Sequence, residues 1–247
     1  MRTAVIMQPT YLPWPGYFDL MDQSDIFVFL DSVQFDKRSW QQRNRIKSAA
    51  GEQMLTVPVF SKGQFSQNIY EVHVDHSSNF IESHIKAIQL NYAKSKYFSR
   101  YFNEITKILR KRHVLLCDLN IEIILWIKEM FGLKAEILRS SSLNVQGNRV
   151  ALLADICRSL GASHYLSPKG SMDYITRNNL FDEYGIQLSY QNYEPVPYRQ
   201  LYGEFVPCLS TLDLLFNEGE QSLNIIRAGR KLNKSLIKEE VKCQVSY

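Results

Sequence analysis

The constraint that does most to limit the fold lies in the first 31 residues. "TAVIMQ" (residues 3–8) and "IFVFLD" (26–31) are short apolar runs with few polar residues, the pattern of strands covered on both faces. Between them, Pro9, Pro13, Pro15 and Gly16 break the first run. "PGYFDLMDQSD" then sets Tyr17, Leu20 and Met21 at helical spacing. Strand, loop, helix and strand within about 30 residues is the size of a β-α-β unit, whose strands run parallel with a right-handed crossover.

The rest of the chain extends that alternation around a helical middle. "QMLTVPVF" and "NIYEVHV", joined by "SKGQFSQ", read as an antiparallel hairpin at or beyond the sheet edge, with Pro58 pushing its strand toward an edge. Three amphipathic patterns between 79 and 133 read as consecutive helices, a helical insert or subdomain. "AEILRSSSL", "HYLSP" and "IQLSY" read as strands, "GNRVALLADICRSLGA" as a helix stopped by Gly161, "SMDYITRNNLFDEYG" as a helix, and "STLDLLFN" as the start of a helical tail. The expectation is one α/β domain over 1–247, a mostly parallel Rossmann-like sheet with a helical insert and an edge hairpin.

Composition narrows the function classes. With 247 residues, 45% hydrophobic and 22% charged, the chain can bury a large core. No apolar run approaches the roughly 18 residues of a membrane span, and the first residues lack a signal-peptide pattern, so the expected compartment is the cytoplasm. Cys117, Cys157, Cys208 and Cys243 are scattered singly, which fits reduced thiols and no metal site. A net charge of +4 is too mild to argue for nucleic acid. The basic, aromatic stretch 93–113 places Tyr97, Phe98, Tyr101 and Phe102 at helical spacing with Ile105 and Leu109, the signature of a core face rather than a strand-binding platform.

Three loops carry candidate chemistry at strand ends, the edge where open parallel sheets bind ligands. The first holds Gln8, Tyr11, Trp14 and Tyr17, with prolines restricting φ and leaving little entropy to lose on binding. The second, "DSVQFDKRSWQQRNRIK" (31–47), has five cations in eleven residues, Lys37, Arg38, Arg43, Arg45 and Lys47, with Trp40 and Asn44 among them. Guanidinium forks match phosphate or carboxylate oxygens, and Trp40 offers a face to a base or sugar. The third, "YLSPKGSMDYI", places Lys169 in a Gly-containing loop and Ser171 at a helix start, where backbone N–H groups favour anions. A small phosphate-bearing ligand suits this set. Asp31, at a strand exit, and Lys169 are the catalytic candidates. His84 and His113 are expected at the surface or its boundary, and His164 near the candidate site. No serine or cysteine stands in a nucleophile-elbow context, and the residues name no cofactor.

Taken together, "MQPTYLPWPGYF", "DSVQFDKRSWQQRNRI", "SHYLSPKGSMDYI" and "CLSTLDLLFNEG" resemble, in order, the signatures of the WbqC-like family over residues 3 to 230. The resemblance implies a role in making or modifying surface-polysaccharide (O-antigen) sugars. It implies a transferase on a nucleotide-linked or phosphorylated amino sugar, moving an acyl or aminoacyl group. The first strand, turn and Gly-led helix are also distantly similar to the nucleotidylyltransferase superfamily. There Gly16 matches a helix-start glycine, while Trp14 and Tyr17 stand in place of the superfamily's two histidines. That departure argues against ordinary nucleotidyl transfer. The alternatives are a non-catalytic sugar- or nucleotide-binding protein and a nucleotidyltransferase-like enzyme without the usual histidines.

Overall fold

The computed structural model describes residues 1–64, 66–175 and 179–231, without the side chains of 173 and 174. Cys243 and the tail beyond Lys231 lie outside these residues. Five parallel strands form the central sheet: β1 (Thr3–Met7), β2 (Ile26–Phe29), β5 (Glu136–Arg139), β6 (His164–Ser167) and β7 (Gln187–Tyr190), in the order β5-β2-β1-β6-β7. β1 pairs with β2 from Ala4 opposite Ile26 to Met7 opposite Phe29, and with β6 at Thr3 and Ala4.

Alternation along the strands divides the core in two. Val5, Phe27 and Phe29 face one side and join a cluster with Tyr17, Phe18, Leu20 and Met21 of α1 (Pro15–Asp22). That cluster runs on into α2 (Phe80–Tyr92), α3 (Phe98–Arg110) and α4 (Leu116–Met130), the helical insert. Ala4, Ile6, Ile26 and Val28 face the other side, against Leu153, Ala154 and Ile156 of α5 (Arg149–Ser159) and Phe181 of α7 (Leu180–Glu183). Helices therefore cover both faces, as a parallel sheet requires. The chain leaves β1 to one side, reaches β5, and returns through α5 to β6 on the other side. The order reverses between β1 and β6, and their carboxyl ends flank a crevice.

The hairpin is not where the sequence reading put it. β3 (Arg43–Ser48) pairs with β4 (Gly51–Thr56), from Arg43 opposite Thr56 to Ser48 opposite Gly51. The connection works because Gly51 takes φ +106° and the Ser48 hydroxyl donates to the Gly51 carbonyl. The basic stretch thus becomes a strand at its second half. The two segments expected to pair form no ladder and are joined by an isolated bridge between Val59 and Val74. This hairpin forms a separate two-stranded sheet beyond the parallel one. The helix expected over 171–185 divides, with α6 (Met172–Ile175) and α7 described on either side of 176–178.

After β7, an extended stretch leads to α8 (Thr211–Glu218), capped by the Ser210 hydroxyl accepting from the Leu212 N–H, and to α9 (Ser222–Ala228). The basic residues at its end dock on α1. Arg230 pairs with Asp19 (2.8 Å) and Asp22 (2.6 Å), and Arg227 with Asp22 (2.7 Å). No described helix is long and apolar enough to cross a membrane.

Candidate functional site

A loop with three prolines is short of three N–H donors, and its own carbonyls still need partners. Buried amides from elsewhere supply them. Asn44 Nδ2 donates to the carbonyls of Tyr11 (3.1 Å) and Leu12 (2.7 Å), and Asn120 Nδ2 to those of Pro9 (3.0 Å) and Gln41 (2.7 Å). The Tyr17 hydroxyl donates to the Gln8 carbonyl, and Gln41 Nε2 to Gln8 Oε1 (2.9 Å). The loop after β1 is therefore locked to β3 and α4, which accounts for Leu12 being held at φ +46°.

Along the carboxyl edge of the sheet lie three hollows that share walls. The largest, about 760 Å³, opens between the exit of β2 and the start of α5, with Gln8, Ser32, Asn68, Asn148 and Arg149 among its lining residues. A second of about 270 Å³ sits at the crevice between β1 and β6, lined by Thr10, Tyr165, Pro168, Gly170 and Ser171, and it shares Gln8, Leu30 and Leu153 with the first. A third, also about 270 Å³, is walled by Trp14, Tyr17, Trp40, Asn44, Arg45 and Cys208, and meets the second at Met7 and Thr10.

Of the residues singled out from the sequence, Gln8, Trp14, Tyr17, Trp40, Asn44, Arg45 and Ser171 line these hollows, while Tyr11, Asp31, Lys37, Arg38, Arg43 and Lys169 do not. Lys169 is exposed between the lining residues Pro168 and Gly170. Ser171 is buried, its hydroxyl 2.5 Å from that of Ser167 and donating to the Pro168 carbonyl. Tyr11 lies wholly inside, its hydroxyl 2.8 Å from His84 Nδ1, and burial pushes the phenol well above its ordinary range. His84 is buried rather than superficial, and desolvation pushes it down to about 4.

Asp31 is fully enclosed and already saturated. It accepts from Arg139 Nε (2.7 Å), the Ser140 hydroxyl (3.0 Å), and the N–H and hydroxyl of Ser141 (both 2.8 Å). Its geometry ties β2 to β5 and leaves no lone pair facing a substrate. Beside it, burial pushes the Cys117 thiol up to about 12, so it stays protonated. Lys47 is likewise buried, its Nζ donating to Gln200 Oε1 (3.1 Å) and the Glu204 carbonyl. His164 opens β6, at the end of the sheet away from the hollows, between the hydroxyls of Thr3 and Ser189.

At the β2 exit the sequence singles out Asp31, whereas the residues that line the hollow there are Ser32 and Asn68, together with the start of α5, which no sequence expectation named. Gly147 at φ +106° and Arg149 at φ +48° shape that start, and Arg149 is exposed with no partner among the described residues. The signal was in the sequence: "QGNRV" carries a glycine and an arginine immediately ahead of a helix that follows a strand. Among the described residues no group of histidine, cysteine and carboxylate side chains is placed to hold a metal.

Fold and site together define a doubly wound α/β protein with a cleft at its topological switch point. The model of the WbqC-like protein family matches residues 8–225, and the chain belongs to that family. It is 34% identical over 233 residues to the uncharacterized protein Rv1507c of Mycobacterium tuberculosis (strain ATCC 25618 / H37Rv), covering 94% of this chain and 100% of that one. No solved structure matches the chain.

Proposed function

We propose that the protein is a transferase that binds a nucleotide-linked or phosphorylated amino sugar across the three adjoining hollows and transfers an acyl or aminoacyl group to it, within the making of bacterial surface polysaccharide. One observation carries this reading: the hollows form a row along the edge where such sheets bind ligands, which suits an elongated substrate, and the largest, about 760 Å³, has room for the sugar together with the acyl end of a donor. Alignment of two bound reactants is itself a large catalytic contribution, and an amine acceptor, once deprotonated, is its own nucleophile. Arg149 at the start of α5 and Lys169 beside the crevice supply positive charge for the phosphates. Gln8, which lines two of the hollows, orients the substrate between them.

A second reading, a sugar- or nucleotide-binding protein without turnover, has one observation in its favour. Among the described residues, no carboxylate or imidazole lines the three hollows. The experiment that separates them is a thermal-shift panel of nucleotide-sugars with acyl and aminoacyl donors, followed by mass spectrometry of each stabilising pair. A transferase changes the sugar's mass; a binder raises the melting temperature and leaves the mass unchanged. Absence of any shift across the panel sinks both.

A further inference from the structure

The three hollows differ in chemistry, and the difference bears on which part of a ligand each receives. The hollow of Trp14, Tyr17 and Trp40 is rich in rings and poor in uncommitted polar groups. Asn44 spends its amide on the loop carbonyls and the Arg45 N–H, and Tyr17 its hydroxyl on the Gln8 carbonyl. Arg45 lies 5.4 Å over the Trp40 ring, with Nη1 within hydrogen-bond distance of both Glu52 oxygens (3.0 and 2.8 Å). Its charge is therefore answered, and a phosphate gains little there. Arg45 Nε is buried with no acceptor among the described residues.

We infer that this aromatic hollow receives the nucleobase of the substrate, with the carbonyl or ring-nitrogen edge of the base accepting from Arg45 Nε and the Thr10 hydroxyl. The inference rests on the reading above that the cleft takes a nucleotide-linked substrate. A sugar ring brings several hydroxyls, and the few free partners here would leave most of them desolvated and unpaired. A planar heterocycle presents two apolar faces to rings and needs only a few edge contacts. The volume, about 270 Å³, admits one base with part of its ribose and no second ring system beside it. The shared wall at Met7 and Thr10 then leads the ribose toward the crevice. The diphosphate comes to lie between Lys169 and Arg149, and the sugar occupies the larger hollow.

The chain has three tryptophans, and Trp126 is buried in α4, so ligand-dependent emission from the others is separable. The four common nucleoside diphosphates, inorganic pyrophosphate and methyl pyranosides are titrated into the wild-type chain, Trp40→Ala, Trp40→Phe and Arg45→Gln, by calorimetry and intrinsic fluorescence. Trp40 is 50% exposed, so its variants keep the fold, which melting curves check. The expected result is that one or more nucleoside diphosphates quench emission and bind at least about tenfold tighter than pyrophosphate. Trp40→Ala removes that preference, Trp40→Phe retains much of it, Arg45→Gln narrows the discrimination between bases, and pyrophosphate affinity stays unchanged throughout. Base preference surviving in both Trp40→Ala and Arg45→Gln overturns the inference while leaving the substrate reading intact, as does quenching by pyranosides alone. If no nucleoside diphosphate or nucleotide-sugar binds, the substrate reading fails, and this assignment with it.

Discussion

The indole of Trp14 lies across the first turn of α1 so closely that a Cβ built on Gly16 would stand 2.2 Å from Trp14 Cη2. No real contact is that short, so the glycine is required by the ring above it. The ring in turn meets Tyr193 edge to face, with centroids 5.5 Å apart.

Gly16→Ala therefore reverses the usual sign. In an ordinary helix the change stabilises by up to about 1 kcal/mol. Here the methyl displaces a packed indole, and overpacking of this kind costs about 1–3 kcal/mol. Thermal unfolding should show a lower Tm, with a change in tryptophan emission as Trp14 leaves its place. A stabilised variant with unaltered emission would show that the ring is free to move.

Asp31→Asn should cost stability before anything else. The amide would point a donor at a set of groups that all donate: Arg139 Nε, the Ser140 hydroxyl, and the N–H and hydroxyl of Ser141. Breaking a buried pair costs about 3–5 kcal/mol, and the one-third exposure of Arg139 places this case near the lower figure. Urea unfolding measures it. A variant of wild-type stability that had lost only turnover would instead make Asp31 a reacting group.

Acid should weaken the fold through His84. Burial holds it neutral, with its folded value lowered from 6.5 to about 4. In the unfolded chain it takes a proton as pH falls below about 6.5, and in the folded chain only near 4. Its contribution is complete above 6.5 and is lost progressively between 6.5 and 4, amounting to about 3 kcal/mol. Asp19 and Asp213, whose carboxyls burial raises, act in the opposite sense as pH falls through their folded values. The difference between wild-type and His84→Gln stability curves isolates the histidine. A difference that stays constant from pH 7 to 4 would exclude this titration.

What the sequence made legible follows from how the signals arise. The central strands β1 and β2 declare themselves because burial on both faces demands near-continuous apolar runs, whereas β5, β6 and β7 mix polar residues in and show chiefly by alternating with helices. The hairpin was hidden because β3 is written in charge. Arg43 and Arg45 alternate with Asn44 and Ile46, so one face of a real strand reads as a basic loop. Asp31 stood out correctly as a strand-exit carboxylate. Its saturation by residues 139–141, more than 100 positions away, is a tertiary fact that no local pattern encodes. Tyr11 shows the same limit: the loop was recognisable, but which of its rings turn inward depends on His84 of a distant helix.

The stiffness of that loop is open to direct test at Asn44. Its side chain satisfies two consecutive carbonyls in a segment whose prolines lack donors, and it does so from a strand otherwise concerned with the hairpin. Asn44→Ala leaves both carbonyls buried without a donor, at about 1–3 kcal/mol for each group that water fails to reach. The loop then samples more conformations, and the walls set by Trp14 and Tyr17 lose their fixed spacing, so ligand affinity should fall through the entropy term. Hydrogen exchange should rise at Tyr11, whose N–H donates to the Trp40 carbonyl (3.0 Å), and at Tyr17, whose N–H donates to that of Trp14. The parallel sheet should keep its protection. Unchanged exchange at Tyr11 and Tyr17 in Asn44→Ala would mean that the prolines alone hold the loop.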